Sequence, residues 1–158
     1  AYRDAREQNG GEELLLDMDV ELAEKLAHRL LNVEEIFNLV DIQESEKEVA
    51  AMGMPIDGGR YIWKGKADIV NRNQNLVIDL KTTSDYERFQ SSVYKYNYHT
   101  QAFIYRELFN LNFMVVGICK KTMKPFTWEP SEEILERAQE KIIKAHVAAI
   151  LYFEKHGI

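Results

Sequence analysis

Apolar residues recur at helical spacing near the start and the end of the chain, and between these stretches they gather into short runs bounded by turn residues. In "DMDVELAEKLAHRLLN", Leu22, Ala23, Leu26, Ala27 and Leu30 share one helical face, with Asp19 standing where an N-cap belongs. "EVAAMGM" reads as a strand and "PIDGG" as a turn. "RYIWKGKADIV" and "NLVIDLKTT" are two further strands, joined by the polar turn "NRNQN". The pattern then predicts a helix from Tyr94 to Phe109 and a hairpin built from "FMVVGICKK" and "PFTWE". A long last helix follows, capped by Ser131 and stopped at Gly157, with Leu135, Ala138, Ile142, Ala149 and Phe153 as its apolar stripe. This order predicts an α+β (mixed α/β) fold, with a central twisted, largely antiparallel sheet flanked by helices. No repeat or low-complexity linker interrupts it, so a single domain is expected over residues 1–158.

Composition narrows the classes. The 158 residues are 46% apolar and 29% charged, an ordinary balance for a globular domain with a sizeable core. No apolar run approaches the ~18–20 residues that cross a bilayer, so no membrane association is expected. The first residues, "AYRDAREQNGG", hold no apolar stretch of a signal peptide and no initiator methionine, which points to a trimmed chain. One cysteine, Cys119, excludes an internal disulfide and a multi-cysteine metal site within one chain, and a reducing cytoplasm fits. It sits in the apolar run "FMVVGIC" and reads as a small core residue. The net charge of −6 argues against whole-surface binding to nucleic acid, but not against a local basic groove.

The chemistry gathers in "WKGKADIVNRNQNLVIDLKTT". Side chains alternate along a strand, so Asp79 and Lys81 share a face and Leu80 points away. A turn centred near Asn73 or Gln74 sets Asp68 opposite Asp79 to within one residue. Like charges so placed destabilise a sheet unless a cation lies between them. Lys81 is one such cation. A hard divalent ion, Mg²⁺ (or Mn²⁺), held by Asp68, Asp79 and the Leu80 carbonyl, is another. The plainer alternative is an exposed cross-strand pair of Asp68 with Lys81, and the hairpin alone does not choose.

"KGKADIV", "VIDLKTT" and then "YKYNYHTQAFIYRELF" together resemble the PD-(D/E)XK nuclease superfamily, specifically its RecE-type (exonuclease VIII-like) phage and prophage branch. The likeness runs through roughly residues 60–108. It implies a restriction-endonuclease-like core in which Asp68 and Asp79 hold the metal and Lys81 is the catalytic lysine. Gln101 would organise the site, with Tyr105 one helical turn on. Glu48 falls where some members place a further acid, with Glu44 and Glu46 as neighbours of the same chemistry. The branch also carries a histidine-bearing N-terminal helix that nothing here matches, His28 included. An N-terminal segment of the full-length protein is therefore expected to be missing.

The resemblance implies a metal-dependent exodeoxyribonuclease acting on duplex DNA ends, 5′ to 3′, in phage-type recombination. A homo-oligomeric ring and a single-strand-annealing partner are implied with it. A catalytically silent DNA-binding or assembly module, and an endonuclease or RecB-like accessory nuclease, are the alternatives on the same fold. Tyr94, Tyr96, Tyr98 and His99 can stack on nucleotides or fill the core, and Thr82 and Thr83 can bond a phosphate or finish a strand. Lys120, Lys121 and Lys124 read first as a solvated turn. Trp63 and Trp128 read as packing, and His146 as an ordinary helix residue.

Overall fold

A computed structural model describes residues 17–40, 43, 45–53 and 62–157. Its elements run α1 (Asp17–Leu31), α2 (Glu34–Val40), β1 (Glu46–Gly53), β2 (Trp63–Asn71), β3 (Leu76–Thr83), α3 (Phe89–Lys95), α4 (Tyr98–Phe109), β4 (Asn112–Cys119), β5 (Pro125–Trp128) and α5 (Glu132–His156). The strands form one mixed sheet in sequence order. All neighbours pair antiparallel except β3 and β4, which run parallel through the α3–α4 crossover. The α+β fold expected from the pattern is the one observed.

Both sheet faces are covered, which is why β3 and β4 read as continuous apolar runs rather than alternating ones. On one face Val77, Phe113 and Val115 pack with Phe89, Val93, Ala102 and Leu135 of α3, α4 and α5. On the other, Ile69, Ile78, Met114 and Val116 pack with Ile36 and Val40 of α2. The last helix begins as expected: the Ile134 N–H donates to the Ser131 hydroxyl at 3.4 Å, and Gly157 ends it in the left-handed region (φ 67°). Among the described residues no helix is long and apolar enough to cross a membrane.

Four details differ from the pattern. Asp19 lies inside α1 rather than capping it. The seven-residue α2 was not expected. The helix expected over Tyr94–Phe109 is two helices, broken where Asn97 adopts φ 60°; asparagine is one of the few residues that tolerates this region. His146 is buried, its ring centroid 6.0 Å from that of Trp63. The "PIDGG" turn lies outside the described residues.

Candidate active site

The hairpin between β2 and β3 closes on Arg72–Asn75, with Asn71 opposite Leu76 and Ile69 opposite Ile78. Its centre falls between Asn73 and Gln74. The Asn71 side chain fixes it by accepting from the Gln74 N–H at 3.0 Å. One more step of this register would set Asp68 against Asp79, but the ladder stops at Ile69 and Ile78. Beyond that point β3 stays paired to β4 as far as Thr83 and Cys119. The two halves of the hairpin therefore part at the acidic residues.

Asp68 occupies the opening. Its Oδ2 accepts from the Leu80 N–H at 2.7 Å, a donor that a continued ladder would have turned to Ala67. The N–H and C=O of one strand residue project to the same edge, so the Leu80 carbonyl faces the same opening. The carbonyls of Asn75 and Thr83, of opposite parity, turn the other way, to the N–H groups of Asn112 and Lys120. Alternation breaks here on β2 and on its neighbour β1. Ala67 and Ile69, two apart, join opposite cores. On β1, Val49 packs with the Ala67 core while Lys47 Nζ donates to the Val40 carbonyl at 2.8 Å, on the α2 side. Glu48 between them sits at φ 54°.

Asp79 points to the face covered by α4 and is 3% exposed. Its Oδ1 accepts from Gln101 Nε2 at 2.6 Å, and Oδ2 forms an ion pair with Lys81 on the same face. Oδ2 is buried against the Lys81 ammonium, whose hydrogen bond and charge both favour the ionised carboxylate. Burial drives the Asp79 carboxyl above the ordinary carboxylate range. Lys81 and Gln101 oppose that rise, and the nearby charge of Asp68 adds to it. Of the two readings left open by the hairpin, the exposed cross-strand pair of Asp68 with Lys81 is not formed; Lys81 pairs with Asp79 on its own strand.

Gln101 and Tyr105 face the sheet one turn apart on α4, and the Tyr105 hydroxyl donates to the Lys66 carbonyl at 2.5 Å. Gly65 makes room for this packing: a Cβ there would stand 2.9 Å from the Tyr105 ring. Glu48 forms an ion pair with Lys66, whose ammonium is held above its usual range chiefly by that carboxylate. Glu48, Asp68 and Leu80 also line a cavity of 520 Å³ with Leu30, Val40 and Ile69, on the α1–α2 side of the sheet.

Two expected contact residues stand apart. Thr82 alternates with Lys81 and projects to the opposite face of the sheet. His99 is 4% exposed, and its Nδ1 lies 3.1 Å from the Val93 carbonyl, where it ties α4 to α3. Sequence reading did not pair Lys66 with Glu48; the bond crosses two strands and follows from their register. It also did not link Lys81 to Tyr98, whose ring centroid lies 5.1 Å from the lysine Nζ.

The donor set suits a small hard cation. Among the described residues no cluster of three histidine, cysteine or acidic side chains could hold a metal ion. Two carboxylates and a carbonyl match an ion that takes one or two carboxylates and keeps several waters, as Mg²⁺ does. The Asp68 charge lies close enough to Asp79 to raise the pKa of its carboxyl, a repulsion that such an ion would relieve beside Lys81.

No curated protein matches the sequence. Among solved structures, a candidate exonuclease from Eubacterium rectale superposes with a TM-score of 0.75 at 18% identity, over 97% of this chain and 61% of its own. The chain thus spans less than two thirds of that protein. A phage-related exonuclease from Haemophilus somnus 129PT superposes with a TM-score of 0.55 at 12% identity, over 96% of this chain and 79% of its own. At these identities the likeness is one of fold. The family described as "PDDEXK-like domain of unknown function (DUF3799)" matches residues 3–126, a span that holds the hairpin, Gln101 and the parallel strand pair. The chain belongs to this PDDEXK-like family.

Proposed function

We propose that the chain is a metal-dependent exodeoxyribonuclease domain that hydrolyses phosphodiester bonds at duplex DNA ends, 5′ to 3′, in phage-type recombination. The observation that carries this reading is the convergence of Asp79, Lys81 and Gln101 on one face, beside a hairpin opening that holds Asp68. Asp68, Asp79 and the Leu80 carbonyl would hold Mg²⁺ or Mn²⁺. Bound there, the ion would supply Lewis-acid polarisation of a phosphoryl oxygen.

The chain's own side chains do the rest. Lys81, set by its pair with Asp79, orients the attacking water and offers a point charge to the phosphate as negative charge builds. Gln101 holds the Asp79 carboxylate in one rotamer, keeping Oδ2 toward the lysine. Tyr105 fastens α4 to β2, so that Gln101 and Asp68 keep their spacing. An oligomeric ring and a single-strand-annealing partner complete the proposal.

End-labelled linear duplex with Mg²⁺ tests it. Linear DNA should be degraded from its 5′ ends while a closed circle of the same sequence survives, and EDTA or Lys81→Ala should stop the reaction. Cleavage of the circle would make the enzyme an endonuclease. Binding without any metal-dependent cleavage would make it a silent module.

A further inference from the structure

We infer that the tyrosines at the joint between α3 and α4 form a base-stacking platform that holds an unpaired DNA strand beside Lys81. The inference rests on the nuclease reading and names what that site grips.

The joint breaks the helix at Asn97 and carries exposed rings. The Tyr96 N–H donates to the Ser92 carbonyl at 2.9 Å, and the Asn97 side chain accepts from Lys141 of α5 at 2.6 Å. Tyr94 and Tyr96 are nonetheless 44% and 56% exposed. They bury too little for core packing to account for both. The Tyr96 and Tyr98 centroids are 5.9 Å apart, and Tyr98 lies 6.0 Å from Phe89, nearly parallel at 28°. Cations flank the row at both ends: Lys95 Nζ lies 5.3 Å from the Tyr96 centroid, and Lys81 Nζ 5.1 Å from that of Tyr98. Tyr98 therefore joins the lysine of the candidate active site to an exposed ring at the joint.

This chemistry selects its occupant. Every nucleobase has a π-face that stacks on an exposed aromatic ring, and the phosphate between two bases meets a lysine. In a duplex the base faces are already covered by their neighbours, so the platform takes a frayed or displaced single strand. Asp79, tied into the row through Lys81, is already paired with that lysine.

The test is fluorescence anisotropy of a short fluorescein-labelled oligothymidylate at fixed salt in EDTA, so that binding is read without hydrolysis. Tyr96→Ala should weaken binding by roughly 5- to 150-fold, the range measured for losing one base–aromatic stack. Tyr96→Phe keeps the ring and should bind as the wild type does. The platform is overturned if the wild type does not bind this probe, if Tyr96→Ala binds as tightly as the wild type, or if Tyr96→Phe loses as much as alanine. A chain that binds through Tyr96 yet never cleaves DNA would sink the nuclease reading and support the platform. A chain that cleaves linear duplex, yet holds the probe just as tightly after Tyr96→Ala, keeps the nuclease reading and loses the platform.

Discussion

Replacing Lys81 with methionine keeps the bulk of the side chain and removes the charge facing Asp79. Breaking a buried ion pair from one side costs about 3–5 kcal/mol, because a charge is left in a poor solvent. Asp79 is almost wholly buried, but the Lys81 side chain is 21% exposed, so water screens part of the pair. The expected loss at neutral pH is therefore about 2–3 kcal/mol. Its pH dependence follows from the raised pKa of Asp79. In the unfolded chain this carboxyl titrates at about 3.9. The folded state binds the proton more tightly, so the stability from this group is complete below the unfolded value and is lost as pH rises through the folded one. Without Lys81 its lowering influence disappears and that window extends to higher pH. Urea denaturation across a pH series should show a deficit at neutral pH that shrinks on acidification. Asp79→Asn in the Lys81→Met background should return most of it. A variant as stable as the wild type at neutral pH, or a deficit equal at every pH, would refute the reasoning.

Asp68→Asn should leave urea stability within about 1 kcal/mol, since the amide oxygen still accepts from Leu80, but should abolish the Mg²⁺-induced rise in Tm expected of the wild type by linkage. Gln101→Leu removes the 2.6 Å bond to Asp79 and should cost about 1–3 kcal/mol in denaturation. Because a protonated Asp79 then becomes easier to form, the acid limb of the pH–rate profile should move to higher pH. Gly117→Ala would drive a Cβ into the Phe126 ring and should lower Tm by the equivalent of about 1–3 kcal/mol of overpacking.

The hairpin was legible because two simple rules meet in it. Period-two alternation and a short polar turn fix the register, and the Asn71–Leu76 closure falls where those rules place it. The same rules carried Asp79 and Lys81 to one face. The break at Asn97 was not legible, since Tyr94, Tyr98, Ala102 and Tyr105 keep helical spacing straight across it. α2 is too short for periodicity to rise above chance. The burial of His99 and the Glu48–Lys66 pair are tertiary facts, set by which element lies overhead and by how β1 and β2 align.

What no local pattern could announce is the parting of β2 from β3, and this is where the fold becomes chemistry. A continued ladder would have set Leu80 against Ala67 and used both of its peptide groups. Parting leaves them without strand partners at an exposed residue. The Asp68 carboxylate takes the N–H, and the carbonyl, on the same edge of the strand, faces whatever enters the opening. Glu48 in the left-handed region adds strain of order 1–3 kcal/mol on the next strand. Asp68 thus has a structural duty that asparagine can perform, beside a charge that asparagine cannot replace. For that reason Asp68→Asn separates the two roles, whereas Asp68→Ala would remove both at once and leave the Leu80 N–H without its acceptor.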